Sequence, residues 1–336
     1  MDQGSDLCGD FNFNTVVGTF ESNLAEQQPN MPLHGLPLQS QYLYGGLRAE
    51  NGDLYVVERK FIGPMTGGLW LMSNKSGDLN LIPESVRSAR GELVRNFTPE
   101  TRKWSDHLMH KVGEDMLPAG EQGLSITIDD NTMDWQEGEL LSFSGSRRSI
   151  GVQFFAPMRD RPLMYTSVPY WVKGTVTGVE VEGPVFFDHL YWTHGTEWKE
   201  YIWYKDIQVG WNVFANQFDD GSFEWGHIVQ GRKGFSACIV VDSTNGVTMS
   251  NQRDAEFELD ENNCVAKASH RVGDDTFDFT AEEGGAMLQF NKARWGGYRA
   301  QGGNIRRRGD NRQVSNGFTW LECFADRIRD EGLIRS

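Results

Sequence analysis

Three short peptides constrain this chain most: Asn51-Gly52, Asp220-Gly221 and Asn245-Gly246, each set between runs of strand-forming residues. A tight hairpin turn needs positive φ at its central positions, and Asn-Gly and Asp-Gly tolerate that best. The segments Leu47–Tyr55, Phe218–Phe223 and Val241–Thr248 are therefore expected as antiparallel hairpins. Further strands are expected at Leu69–Met72, Leu124–Asp129, Gly138–Ser144, Gly151–Ala156, Trp171–Val176, Val185–Tyr191, Glu256–Leu259, Cys264–His270, Thr276–Thr280, Ala286–Gln289 and Gly317–Phe324.

Helical signals are confined to Pro99–Lys111, opened by Thr98 as an N-cap, and to Phe324–Ile334. No crossover helix recurs between strands, so a doubly wound parallel sheet is not expected. The 38 Gly, 11 Trp and 20 Phe agree with turns and aromatic-rich strands. The fold class these signals imply is all-β: two antiparallel barrels or sandwiches packed together, with few short helices. A length of 336 residues suits two halves, and the Pro-containing segment 156–162 is the expected link. The halves are then 1–160 and 161–336.

The formal net charge of -15 disfavours nucleic acid and anionic membrane as partners. The basic run Arg306-Arg307-Arg308 lies among glycines and reads as a solvated loop or, alternatively, a phosphate clamp. The N-terminus lacks the apolar core of a secretory signal, and no stretch approaches the length of a membrane span. The four cysteines form no Cys-x-x-Cys pair, so buried thiols in a reducing, cytoplasmic compartment are expected. No phosphate-binding loop, dinucleotide fingerprint or nucleophile elbow is present, and no cofactor is expected. Asp106, His107 and His110, with Glu114 nearby, read as a solvated helix or as a metal site; no metal is assigned.

Chemistry concentrates between Tyr165 and Trp225, which holds Trp171, Trp192, Trp198, Trp203, Trp211 and Trp225. So many indoles call for a large core or a concave apolar pocket. A two-residue turn at Asp220-Gly221 pairs Phe218 with Phe223, Asn216 with Trp225, Phe214 with His227 and Asn212 with Val229, on one face. Aromatics mixed with amides and an imidazole suit either a ligand-lined interior or a two-sided strand whose amides meet water. In the last strand Phe318, Trp320, Glu322 and Phe324 share a face. If that face is internal, burial raises the Glu322 carboxyl and makes it a general acid; the alternative is an ion pair with Arg299. Within Asp188–His194, alternation sends His189 and Tyr191 one way and Asp188, Trp192 and His194 the other, and a bulge could merge the sets.

The run from Tyr165 through Tyr170-Trp171, Gly174, Gly178 and Gly183-Pro-Val-Phe-Phe187-Asp188-His189 resembles the central block of the carotenoid 1,2-hydratase/AttH-like family. The Trp-rich strands with Trp203 and Trp211, then Asp219-Asp220-Gly221, come in the family's order. Tyr42-Leu-Tyr44-Gly-Gly46-Leu and Tyr55–Phe61 are similar to its opening strands. Leu190-Tyr191-Trp192 stands where the family pattern has Gln-Trp-Gly. The resemblance implies two lipocalin-like barrels with the ligand near their junction, and a cofactor-free reaction. It carries a histidine, an aromatic two residues on and a later acid onto His189, Tyr191 and Asp219 or Asp220.

The expected function is a cofactor-independent lyase or isomerase acting on a hydrophobic terpenoid, polyketide or aromatic compound. His189, Glu322, Tyr191 and Asp188 are the expected catalytic residues. Tyr165, Trp192, His194, Trp203, Phe214, Trp225, His227 and Trp320 are expected to line the pocket. The alternative is a lipid or pigment carrier. A homo-oligomer is compatible with either.

Overall fold

The computed structural model describes residues 15–24, 27, 32–98, 103–111, 123–157, 162–192, 207–288 and 297–335, with 93–98 and 103–111 described by their backbone. The first sheet contains β1 (Val16–Phe20), β2 (Leu38–Ala49), β3 (Leu54–Ile62), β4 (Met65–Thr66), β5 (Trp70–Ser73), β6 (Asn80–Leu81), β7 (Gly91–Thr98) and β8 (Lys103–Lys111). It continues with β9 (Leu124–Ile128), β10 (Thr132–Glu137), β11 (Leu141–Arg147), β12 (Gly151–Ala156), β13 (Leu163–Val176) and β14 (Val179–Tyr191). The second sheet contains β15 (Gln208–Phe218), β16 (Phe223–Gly231), β17 (Ser236–Asp242), β18 (Gly246–Ser250), β19 (Ala255–Leu259), β20 (Val265–Val272), β21 (Asp275–Ala286), β22 (Tyr298–Arg307) and β23 (Val314–Phe324).

Every ladder between these strands is antiparallel, and the protein is all-β with two curled sheets. The first sheet closes on itself: from β13 it runs through β14, β2, β3, β4, β7, β8, β9, β10 and β11 back to β13. Leu43, Tyr55, Val57, Phe61, Trp135, Phe143, Tyr170 and Phe187 belong to its main buried cluster. One edge of β13 pairs first with β12 (Leu163 to Ser167) and then with β11 (Tyr170 to Val176). Pro169 falls between these two ladders, where its missing N–H breaks no bond on that edge. β12 and β1 thus form a branch off the ring. The second sheet runs β18-β17-β16-β15-β23-β22-β21-β20-β19, curled so that Phe214 and Phe277 meet inside at 6.0 Å between centroids.

The hairpins around Gly52 and Gly246 form as expected, with φ of 89° and 82°. The Asp220-Gly221 hairpin also forms, but Phe218 N–H bonds to Ser222 O, enclosing a three-residue turn. Its pairs are Gln217 with Phe223, Ala215 with Trp225, Val213 with His227 and Trp211 with Val229. That one-residue slip reverses the expected face sharing. Phe214 belongs to the second sheet's own core, whereas Trp225 shares a core with Val213 and Ala215 that faces the first sheet.

Three other expectations are corrected. The helix expected over Pro99–Lys111 is replaced by β8, paired on both edges, so two ladders outweigh a local N-cap signal. The terminal helix, α1, is limited to Ala325–Asp330. The basic run is neither a loop nor a clamp: Arg306 and Arg307 end β22, where Arg307 pairs with Glu224 and Asp275, and Arg308 just beyond pairs with Asp278. The sheets change over between Tyr191 and Gln208. Among the described residues no helix is long and apolar enough to cross a membrane.

Candidate active site

The two sheets enclose a cavity of about 510 Å³, within the size range of small-molecule sites. Its first wall is the outer surface of the ring. Along β2 and β3 the half-buried residues alternate with buried ones, and they include Tyr42, Tyr44, Glu58 and Lys60, all of which line the cavity. Strand register sets them in rows. Glu58 lies beside Tyr44, which lies beside Phe186; Lys60 lies beside Tyr42, which lies beside Asp188. The intervening Arg59 points into the ring, where it pairs with Glu137, both fully buried.

The second wall comes from β15, β22 and β23, with Trp211, Val213, Tyr298, Trp320 and Glu322. The walls touch at Gly46: a Cβ there would fall 1.9 Å from the Phe318 ring, so only glycine permits this approach.

Three carboxyl groups face this space. Asp188 accepts a hydrogen bond from Tyr165 Oη, while its Oδ1 finds no hydrogen-bond partner among the described residues. Burial pushes its pKa up to about 7, opposed by the nearby Ser167, Tyr165 and Tyr44 hydroxyls and assisted by Glu322. Burial, then the Glu322 charge, raises Glu58 to about 7, and Lys60 partly offsets this. Glu322 is also raised by burial, although it accepts from Gln208 Nε2 and Trp320 Nε1, each at 3.3 Å. Burial raises Tyr44 and Tyr165 as well, so both phenols stay protonated. At neutral pH the cavity therefore offers acids that hold or release protons within an aromatic enclosure.

Of the expected catalytic residues, the structure brings Asp188 and Glu322 to the cavity and sends His189 and Tyr191 to the other face of β14. His189 is fully buried against Gln41 Nε2 at 2.9 Å and Gln27 Nε2 at 3.3 Å, and its ring stacks near Tyr191. Strand alternation separates them from Asp188, and the register shift at Leu190/Tyr191 does not merge the sets. Arg299 bonds to the carbonyls of Asn262 and Tyr298, so the ion pair considered for Glu322 is not formed. Asp219 and Asp220 sit in the exposed turn, outside the cavity lining.

Tyr165, Trp192 and Trp320 line the cavity. Phe214 does not, because the register slip turns it into the second sheet's core. Trp225 and His227 are fully buried just behind the wall, His227 lying 5.2 Å from Tyr165 and 5.8 Å from Trp211 between ring centroids. Burial pushes the His227 pKa down to about 3, so it is neutral, and neither ring nitrogen has a partner among the described residues. His194 and Trp203 lie outside the described residues, as does Glu114; Asp106, His107 and His110 are on β8, whose side chains are not described. Sequence reasoning missed Glu58, Tyr42, Tyr44, Trp211 and Tyr298. A usable signal was Glu58-Arg59-Lys60, three consecutive charges within an otherwise apolar strand.

Fold and cavity together define a two-sheet β protein that buries carboxyl groups among aromatics in a cavity between its sheets. No protein-family model and no curated protein matches the chain. Among solved structures, an AttH-like protein from Nitrosomonas europaea is similar at 11% identity and a TM-score of 0.48, over 88% of this chain and 96% of that one. Kievitone hydratase from Nectria haematococca is similar at 11% identity and a TM-score of 0.42, over 90% of this chain and 91% of that one.

Proposed function

We propose that this protein is a lyase or isomerase, of the hydratase or dehydratase type, that moves protons on a hydrophobic oxygen-bearing small molecule without a cofactor. The observation that carries the reading is Asp188: a buried carboxyl with a pKa near neutrality, held by a tyrosine hydroxyl, facing an aromatic cavity. A carrier needs no such acid, and burying a carboxyl costs stability.

In the dehydration direction, protonated Asp188 gives its proton to the departing hydroxyl oxygen, and water leaves. A carboxylate on the facing wall, Glu322, takes the proton from the adjacent carbon as the double bond forms. Hydration is the reverse, with atoms and charge balanced in both directions. Tyr165 holds Asp188 in place by donating its single hydroxyl proton to Oδ2. Trp192, Trp211 and Trp320 enclose the apolar body, and their faces favour positive charge developing on carbon. Terpenoid, polyketide and aromatic compounds all fit this description.

The test is turnover of candidate alkenols and enones in D2O, followed by mass spectrometry. Wild-type protein should incorporate solvent deuterium at carbon; Asp188→Asn and Glu322→Gln should lose at least about 100-fold in rate while still binding ligand. If no candidate that binds is altered, and both variants bind as wild type does, the protein is a carrier and the enzymatic reading fails.

A further inference from the structure

Next to the cavity lies a set of buried polar groups that the proton transfers above leave unused. Ser167 on β13 and Asp188 on β14 are facing partners in their ladder, and Tyr165 and Phe186 flank the pair on the same side of the sheet. Ser167 is fully buried, and neither its Oγ nor Asp188 Oδ1 has a hydrogen-bond partner among the described residues. The Ser167 hydroxyl is near enough to oppose the rise of the Asp188 pKa, yet the two are not bonded. From the second sheet, the His227 ring stands 5.2 Å from that of Tyr165 and 6.3 Å from that of Phe186. It therefore lies over the Ser167–Asp188 pair that those rings flank, and both its nitrogens are without partners among the described residues. Trp225, stacked on Phe186 at 6.0 Å, leaves its Nε1 unpartnered on the same side. Asp188 and Tyr165 line the cavity, whereas Ser167 and His227 do not, so these atoms form a recess behind Asp188.

Each of these atoms gives up solvent without regaining a bond within the chain, which calls for a small polar guest. The set mixes donors and acceptors: the indole and one imidazole nitrogen donate, the other imidazole nitrogen and the carboxylate accept, and the hydroxyl does either. Water, with two protons and two lone pairs, answers such a set with about three bonds; an ammonium or a carboxylate answers only half of it. A hydration carried out in a cavity filled by an apolar substrate also needs one water that the substrate does not sweep out. We propose that the recess holds this water between Asp188 Oδ1, Ser167 Oγ and His227, and that it is the oxygen that hydration adds and dehydration returns. This rests on the hydratase or dehydratase reading. In hydration the water oxygen bonds to the carbon at the Asp188 end of the cavity and passes one proton to the Asp188 carboxylate, while Glu322 gives a proton to the neighbouring carbon. The other water proton stays on the new hydroxyl, and Ser167 and neutral His227 orient the attacking lone pair.

Turnover in water enriched in both oxygen-18 and deuterium tests it, because mass spectrometry then reads oxygen addition and carbon protonation in one product. Wild-type protein should install both labels. Ser167→Ala and His227→Phe, the latter keeping an aromatic ring, should each lose oxygen-18 about tenfold more than deuterium, the scale of one lost hydrogen bond. Deuterium persists because Glu322 still exchanges the carbon-bound proton. Ser167→Thr keeps the hydroxyl and should keep the wild-type ratio. Circular dichroism and binding of an apolar fluorescent probe, cis-parinaric acid methyl ester, check the fold and cavity of each variant. A crystal structure of the wild-type protein should show one oxygen within hydrogen-bond distance of Asp188 Oδ1 and of Ser167 Oγ or a His227 nitrogen. The proposal is overturned if that density is missing, or if neither Ser167→Ala nor His227→Phe moves the label ratio. Deuterium without oxygen-18 in the wild-type product would overturn it too and leave an isomerase. If wild-type protein installs neither label, the proton-transfer reading fails and this assignment falls with it.

Discussion

Removing Glu137 should cost this fold more than almost any other single change, and the cost can be worked from its contacts. Arg59 and Glu137 are both fully buried within the ring. Arg59 Nε bonds to Glu137 Oε1 at 2.7 Å, and Nη2 bonds to Oε2. Nη1 bonds to the Ala89 carbonyl at 2.9 Å and to that of Gly67. Trp135 Nε1 adds a bond to Glu137 Oε1 at 2.9 Å. Glu137→Gln keeps an acceptor for the indole but strands the guanidinium charge, which should cost about 3–5 kcal/mol. Glu137→Leu also orphans the indole N–H, adding about 1–3 kcal/mol. The double variant Arg59→Met/Glu137→Leu buries no charge and should recover most of the loss. Urea unfolding followed by tryptophan fluorescence measures all three. The reasoning is refuted if Glu137→Leu is no less stable than the double variant, or if Glu137→Gln costs under about 1 kcal/mol.

Gly46→Ala should push Phe318 away from the ring and cost about 1–3 kcal/mol, with weaker probe binding, measured by the same unfolding and by fluorescence titration. An unchanged midpoint with full binding would show that the sheets do not meet there. Asp188 and Glu58 have pKa values raised to about 7 in the folded protein from 3.8 and 4.5. The folded state therefore binds more protons than the unfolded chain between about pH 4 and pH 7, and their contribution to stability falls as pH rises through that window. Asp188→Asn should flatten this slope in unfolding measurements from pH 4 to pH 8; a slope unchanged by the variant would count against the buried acid. Activity that needs protonated Asp188 should likewise fall above about pH 7.

How far the sequence could be read depended on what each signal specifies. Asn51-Gly52 and Asn245-Gly246 were legible because positive φ is a local demand that few residue pairs meet. Phe218-Asp-Asp-Gly-Ser-Phe223 announces a hairpin just as clearly, yet admits turns of different length, and register depends on that length. Its slip moved Phe214 from cavity to core and placed Trp211 in the wall. Alternation correctly separated Asp188 and Trp192 from His189 and Tyr191, but which face meets the second sheet is a matter of packing, invisible along one strand. Glu58 was harder still, because its raised pKa comes first from burial beneath the second sheet and then from Glu322, far along the chain on that sheet.

The handover at Pro169 makes the first sheet a branched structure, and branches transmit force differently from closed rings. The β12 arm carries Phe154, whose ring stacks on Tyr165 at 5.0 Å, and Tyr165 in turn holds Asp188. At its far side the arm reaches the second sheet, where Asn251 Nδ2 bonds to the Thr15 carbonyl next to β1. The arm is thus a strut spanning both bodies, bearing on the tyrosine that positions the acid. Any widening of the gap between the sheets therefore loads this strut and, through Phe154 and Tyr165, bears on Asp188.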